Sequence, residues 1–136
     1  MPFELRDHTA DVAVAAAADD LDGAFAAVAD GLAAACFETV PDAGERFELA
    51  VEAESLEALL FDYLDELIYL RDVRDELPVD NAVTVRSDDD RWALEASARG
   101  VALESIDARE VKAVTYSEMR LEETDDGWEA YVVFDV

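Results

Sequence analysis

At 136 residues, 52% of them hydrophobic, the chain is long enough to bury a core without staples, and the sequence predicts one domain over 1–136. Its 35 Asp and Glu against 10 Lys and Arg give a net charge of −25, which argues against a surface that grips nucleic-acid phosphates. One cysteine and one histidine supply neither a disulfide framework nor a structural zinc site.

Other features of the composition narrow the setting. Lys112 is the only lysine, the remaining basic residues are arginine, and small alanines are abundant. Such a chain looks like part of the proteome of a salt-in halophile. In molar salt the Debye length falls to about 3 Å and screens the self-repulsion of an acidic surface. The chain is therefore expected to loosen or unfold in low salt. No apolar run approaches membrane-spanning length and no signal peptide is evident, so a cytoplasmic protein without a membrane partner is expected.

In chain order, strand-like Phe3-Glu4-Leu5 and Val12-Ala13-Val14 flank a polar knot, Arg6-Asp7-His8-Thr9-Ala10-Asp11, that holds the sole histidine. The knot reads either as a hairpin turn with solvated polar groups or as a connection that places side chains. Asp19-Asp20 caps a helix in which Leu21, Ala24, Phe25, Val28, Ala29, Leu32, Ala33 and Cys36 recur at helical spacing, ending near Phe37. Cys36 in that pattern is expected to be a buried structural thiol. Val40-Pro41-Asp42-Ala43-Gly44 is a loop by composition, and the alternation from Arg46 to Ala53 predicts a half-buried strand. Ser55 caps a second helix with Leu56, Leu59, Leu60, Tyr63, Leu64, Leu67 and Ile68 on one face. Its other face carries Glu57, Asp62, Asp65 and Glu66, with Arg71 and Arg74 near its end and Pro78 at its exit.

Two strands around Ala82–Val85 and Trp92–Ala96 turn at Asp88-Asp89-Asp90, and Arg99-Gly100 opens a less regular connection to Arg109-Glu110. A strand from Val111 through Tyr116 toward Leu121 leads to Asp125-Asp126-Gly127, a hairpin signal, and a final strand runs from Trp128 to Val136. The order ββαβαββββ predicts an α+β two-layer sandwich, two helices packed on one face of a mixed, largely antiparallel β-sheet.

Few constellations here carry chemistry. Glycines are scattered at turns rather than gathered in a phosphate loop. Ser-His-Asp catalysis is open only with His8 as base, and no serine sits in a nucleophile-elbow context. A hard-cation site fits better, since calcium and magnesium take carboxylate and carbonyl oxygens. If the early strand that Asp11 borders and the last strand are neighbours, Asp11, Asp135 and the Val136 carboxylate converge and repel each other without a cation. The alternative is a solvated Asp135 and a frayed Val136.

His8-Thr9-Ala10-Asp11-Val12 resembles the signature of the archease family. So do the second helix from Leu59 to Leu70, Arg99-Gly100, Val111 to Tyr116, and Trp128 with Val133-Phe134-Asp135-Val136. These segments span nearly the whole chain in the family's order. The resemblance implies a two-layer sandwich and an accessory protein rather than an enzyme. Its implied partner is an RNA-splicing ligase, which seals tRNA exons from a 3′-phosphate or 2′,3′-cyclic phosphate end and a 5′-hydroxyl end. The archease promotes guanylylation of that GTP- and manganese-dependent ligase and its multiple turnover. By the same resemblance Asp11, Asp135 and Val136 form the metal site, for calcium with magnesium or manganese as alternatives. His8, Lys112 and Tyr116 are candidate partner contacts, Lys112 because it is the sole lysine kept in the chain, the alternative being a strand lysine exposed by chance. Two departures stand out: Ser117 replaces a histidine common after the Thr-Tyr pair, and the Gly100–Val111 connection lacks another. The competing readings are a chaperone or general interaction module, and a small hydrolase built on His8.

Overall fold

The chain runs β1 (Phe3–His8), β2 (Asp11–Ala18), α1 (Leu21–Cys36), β3 (Glu45–Ala53), α2 (Leu56–Arg74), β4 (Glu76–Asp88), β5 (Arg91–Ala102), β6 (Ala113–Thr124) and β7 (Gly127–Asp135). The computed structural model describes residues 3–8, 11–37, 42, 44–106, 108 and 110–136. Thr9, Ala10, most of the loop expected at Val40–Gly44, Arg109 and the side chains of Arg6, Asp7, His8, Asp88 and Ser105 lie outside that description.

Both helices start as their sequences dictate. Asp20 and Ser55 sit in extended backbone and accept hydrogen bonds from the N–H of Gly23 (2.7 Å) and Ala58 (3.1 Å), satisfying donors that the first turn leaves open. α1 is rich in alanine and packs close: a Cβ on Gly31 would meet Val14 Cγ1 at 2.5 Å, so this position needs glycine for the helix to lie on β2. α2 buries Leu59, Leu60, Tyr63, Leu64, Leu67 and Ile68 and ends at Asp75, whose φ of 54° is left-handed.

The α+β layering expected from the sequence is present, with the strands shared between two sheets, β1-β2-β7-β6 and β3-β5-β4, in which every pairing described is antiparallel. Both helices bridge the two sheets. α1 packs on β1, β2 and β7 and also on β4, while α2 packs on β6 and on β3, β4 and β5. Between these layers lie Phe25, Val28, Leu59, Leu60, Tyr63, Leu64, Leu94, Val14 and Phe134, all essentially inaccessible, with the Phe25 and Tyr63 rings 6.5 Å apart. The Cys36 thiol is buried, as its place in the helical pattern predicts. Among the described residues no helix is long and apolar enough to cross a membrane.

Three details depart from the expected boundaries. Pro78 lies inside β4, opposite Gly100, rather than marking the exit of α2; β4 is an outer strand, where a missing N–H costs little. Arg99-Gly100 belongs to β5, which continues to Ala102 before a short 3-10 turn at Leu103–Ser105. β4 also carries a bulge between Val79 and Ala82, with Asp80 at a φ of 51°.

That bulge is held from both sides. Asp30 Oδ1 on α1 accepts from Asn81 N (2.9 Å) and Asn81 Nδ2 (3.0 Å), and Asp22 Oδ1 accepts from Val85 N (2.8 Å). Two carboxylates of α1 thus occupy donors of an outer strand, which blunts its capacity to pair with another chain. From β3, Arg46 reaches across β5 to the Asp80 carbonyl (3.1 Å) and carboxylate (2.6 Å).

Candidate functional site

β7 lies between β2 and β6, so its last residues are flanked by strands on both sides. Asp135 stands directly opposite Asp11 of β2 and Ala113 of β6. Val12, Val14 and Ala16 of β2 and Ala130, Val132 and Phe134 of β7 enter the core, so alternation puts Asp11 and Asp135 on the sheet face turned away from the helices. Directly opposed residues of an antiparallel pair have Cβ atoms roughly 4.5–5.5 Å apart. Two acids in that position are not casual neighbours.

Their electrostatics follow from that closeness. The hydrogen bond with the Asp11 carboxyl, then desolvation, then the Asp11 charge hold the Asp135 carboxyl above its usual range, while Lys112 pulls the other way. A hydrogen bond between two carboxyl groups requires a shared proton, and a cation placed between them does the same neutralising work. The donors are all oxygen, which suits a hard divalent ion.

The end of the chain segment is anchored beside this pair. The Val136 side chain packs against the core, and the Lys112 N–H donates to the Asp135 carbonyl at 2.8 Å. Among the described residues no group of three or more His, Cys, Asp or Glu side chains is arranged to hold a metal. A cation at Asp11 and Asp135 therefore needs further oxygens, from the Val136 main chain or from water. His8 is the register partner of Asp11 across β1 and β2, which puts its backbone at the same end of the sheet.

Of the residues singled out from sequence, Asp11, Asp135, Val136, Lys112 and the backbone of His8 come together at one end of the four-stranded sheet. Tyr116 does not. It lies against α2, its ring stacked on Phe61 with centroids 4.1 Å apart and planes 2° apart. Desolvation, then the charges of Asp62 and Glu57, push the Tyr116 hydroxyl pKa upward. Phe61 as the support of Tyr116 was not signalled by the sequence, because it sits off the main apolar face of α2. The second bulge, in β6 between Thr115 and Arg120, was equally silent: Glu118 adopts a φ of 63° without the glycine that would announce it. Ser117 is exposed within that bulge.

Comparison with known proteins gives a consistent result. The sequence profile of the Archease protein family matches residues 3–136. Proteins named archease from Pyrococcus furiosus and Thermococcus gammatolerans are 34% and 37% identical, each alignment covering 98% of both chains. The solution structure of Methanobacterium thermoautotrophicum protein 1598 superposes with a TM-score of 0.82 at 31% identity over 99% of each chain. The crystal structure of a Thermotoga maritima archease, named a possible chaperone, gives a TM-score of 0.60 at 21% identity over 96% of this chain and 94% of that one, a likeness of fold alone.

Proposed function

The chain belongs to the archease family, and from that premise we propose that it is an accessory protein that activates an RNA-splicing ligase through the site at Asp11 and Asp135. In this reading it promotes guanylylation and multiple turnover of the ligase in tRNA exon joining and catalyses no reaction itself. The observation that carries the reading is the direct opposition of Asp11 and Asp135 at the sheet end, with Asp135 held above its ordinary pKa by its neighbour. Two carboxylates on adjacent strands are unfavourable unless neutralised, so their placement supports a cation-binding role.

Asp11, Asp135 and a main-chain oxygen of Val136 would hold the ion, calcium in the first instance, with magnesium and manganese as alternatives. Bound there, a divalent ion supplies fixed positive charge beside an otherwise anionic surface. The chain's own residues do the rest. Asp11 and Asp135 orient their oxygens from paired strands, the Lys112 N–H fixes the main chain of Asp135, and His8 and Lys112 border the contact with the partner. Tyr116 contributes a separate contact against α2. With a net charge of −25 the partner bound directly is protein rather than RNA, and the setting is a salt-rich cytoplasm.

The test is a guanylylation assay in molar KCl with the ligase from the same organism, GTP and manganese, with and without this protein. Faster labelling and repeated turnover are expected on addition. A general chaperone is the second reading, favoured by the exposed apolar side chains of Tyr69, Val73 and Tyr116. Protection of unrelated clients from aggregation, with no effect on the ligase, would give that reading the lead.

A further inference from the structure

Exposed large apolar residues are scarce, and their distribution is uneven. Among the described residues Tyr69 (58% exposed), Val73 (61%) and Tyr116 (55%) stand out, with only Leu5 (40%) besides. Tyr69 and Val73 are one turn apart on the solvent face of α2, and Tyr116 lies on the same helix through its stack with Phe61. From Phe61 to Val73 the helix rises about 18 Å. Asp62 and Asp65 are exposed along this stretch, Glu66 is half-buried, and Glu57 is exposed one turn before Phe61. The cations of α2 are committed elsewhere: Arg71 bonds to Asp72, and Arg74 lies over the Phe47 ring and bonds to Glu76. The result is a face with two tyrosine rings, a valine and four carboxylates, to which α2 itself contributes no uncommitted cation among the described residues.

We propose that this face of α2 docks a protein segment that presents arginine side chains. Arginine matches it better than lysine, because a planar guanidinium stacks on a ring while its edge donates to a carboxylate. The chain already uses that pairing internally, with Arg74 4.3 Å from the Phe47 centroid and Arg120 5.2 Å from that of Tyr131. One incoming guanidinium lies on Tyr69 and bonds to Asp65 one turn before it, its aliphatic stem covering Val73 one turn after, and a second lies on the outer face of Tyr116 near Asp62. The Phe61 ring beneath Tyr116 holds the platform flat before anything binds, which lowers the ordering cost of binding. The surface is separate from the Asp11–Asp135 pair, which lies on the sheet face turned away from the helices, and the inference does not rest on the ligase reading.

The test is fluorescence anisotropy in buffered KCl with a labelled amphipathic peptide carrying arginines one turn apart among alanines and leucines, against the same peptide with lysines. The arginine peptide is expected to bind about tenfold tighter than the lysine peptide. The double variant Tyr69→Ser/Val73→Ser should lose most of that preference with an unchanged thermal midpoint, since both side chains are exposed. Asp11→Asn should bind the arginine peptide as the wild type does, which keeps this surface distinguishable from the site at the sheet end. Equal affinity for the two peptides, undiminished binding by the double variant, or loss of binding in Asp11→Asn would overturn the proposal. So would light scattering that shows a dimer of this chain dissociated by Tyr69→Ser/Val73→Ser, because the face would then be covered by a second copy.

Discussion

Asp30 offers a way to separate hydrogen-bond geometry from charge in the core of this fold. Its Oδ1 accepts from the backbone and side-chain nitrogens of Asn81, a residue only 8% exposed, in the β4 bulge. Asp30→Ala leaves both donors without that acceptor, and an unsatisfied buried donor costs about 1–3 kcal/mol, so roughly 2–4 kcal/mol is expected for the pair. For a chain of this length that is on the order of 7–15 °C in thermal midpoint. Asp30→Asn should behave differently, because its amide oxygen can accept the same two bonds without a charge. Burial raises the Asp30 pKa above 3.8, Asn81's two hydrogen bonds oppose the rise, and Asp80 adds to it. The native state therefore binds the proton more tightly than the unfolded chain. Ionisation of Asp30 costs stability as pH climbs from 3.8 through the raised native value, and that cost persists at neutral pH. Asp30→Asn should match or exceed the wild type at pH 7, and the difference should vanish below pH 3.8. Urea melts followed by circular dichroism in molar KCl, at pH 7 and in acid, measure both. Equal losses in the alanine and asparagine variants would refute the reasoning, since the charge and not the acceptor would then be what Asn81 needs.

Other expectations follow from single contacts. At Gly127, where φ is +140°, a Cβ would meet the Ala18 carbonyl oxygen at 2.1 Å, so Gly127→Ala should cost at least about 1–3 kcal/mol in the same melts; an unchanged midpoint would contradict the close approach. Dialysis from molar KCl into dilute buffer should loosen the fold, because 35 acids against 10 basic residues lose their screening; an unchanged circular dichroism spectrum would remove the salt argument. Calorimetric titration of calcium at constant KCl should show a site in the wild type that Asp11→Asn and Asp135→Asn both lose, and retention in either variant would dissolve the assigned ligand set.

What could be read from sequence was mostly local. Asp20 and Ser55 announced the two helix starts, and the spacing of Leu59, Leu60, Tyr63, Leu64 and Leu67 gave the buried face of α2. Asp125-Asp126-Gly127 gave the last hairpin, with Gly127 doing what only glycine does there. The partition into two sheets was not readable, because alternation tells which face of a strand is buried and not which strand lies beside it. Pro78 misled for a related reason: a proline ends a helix or sits in an outer strand, and only the tertiary pairing of β4 decides. The β4 bulge and its clamp by Asp22 and Asp30 join residues 51 and 63 positions apart, beyond any local pattern. At the candidate site, the resemblance pointed to Asp11 and Asp135, and the register of β2 on β7 supplied what spacing could not, their direct opposition. Tyr116 was singled out as a candidate but its surroundings were not legible, since its support comes from Phe61 on another element.

The measurement that bears most directly on the account is ligase guanylylation in molar KCl with wild-type protein and with Asp11→Asn, each first shown to be folded and to bind the ligase. Acceleration and multiple turnover are expected with the wild type and neither with Asp11→Asn. Full activation by Asp11→Asn would contradict it and take the carboxylate pair at the sheet end out of the mechanism.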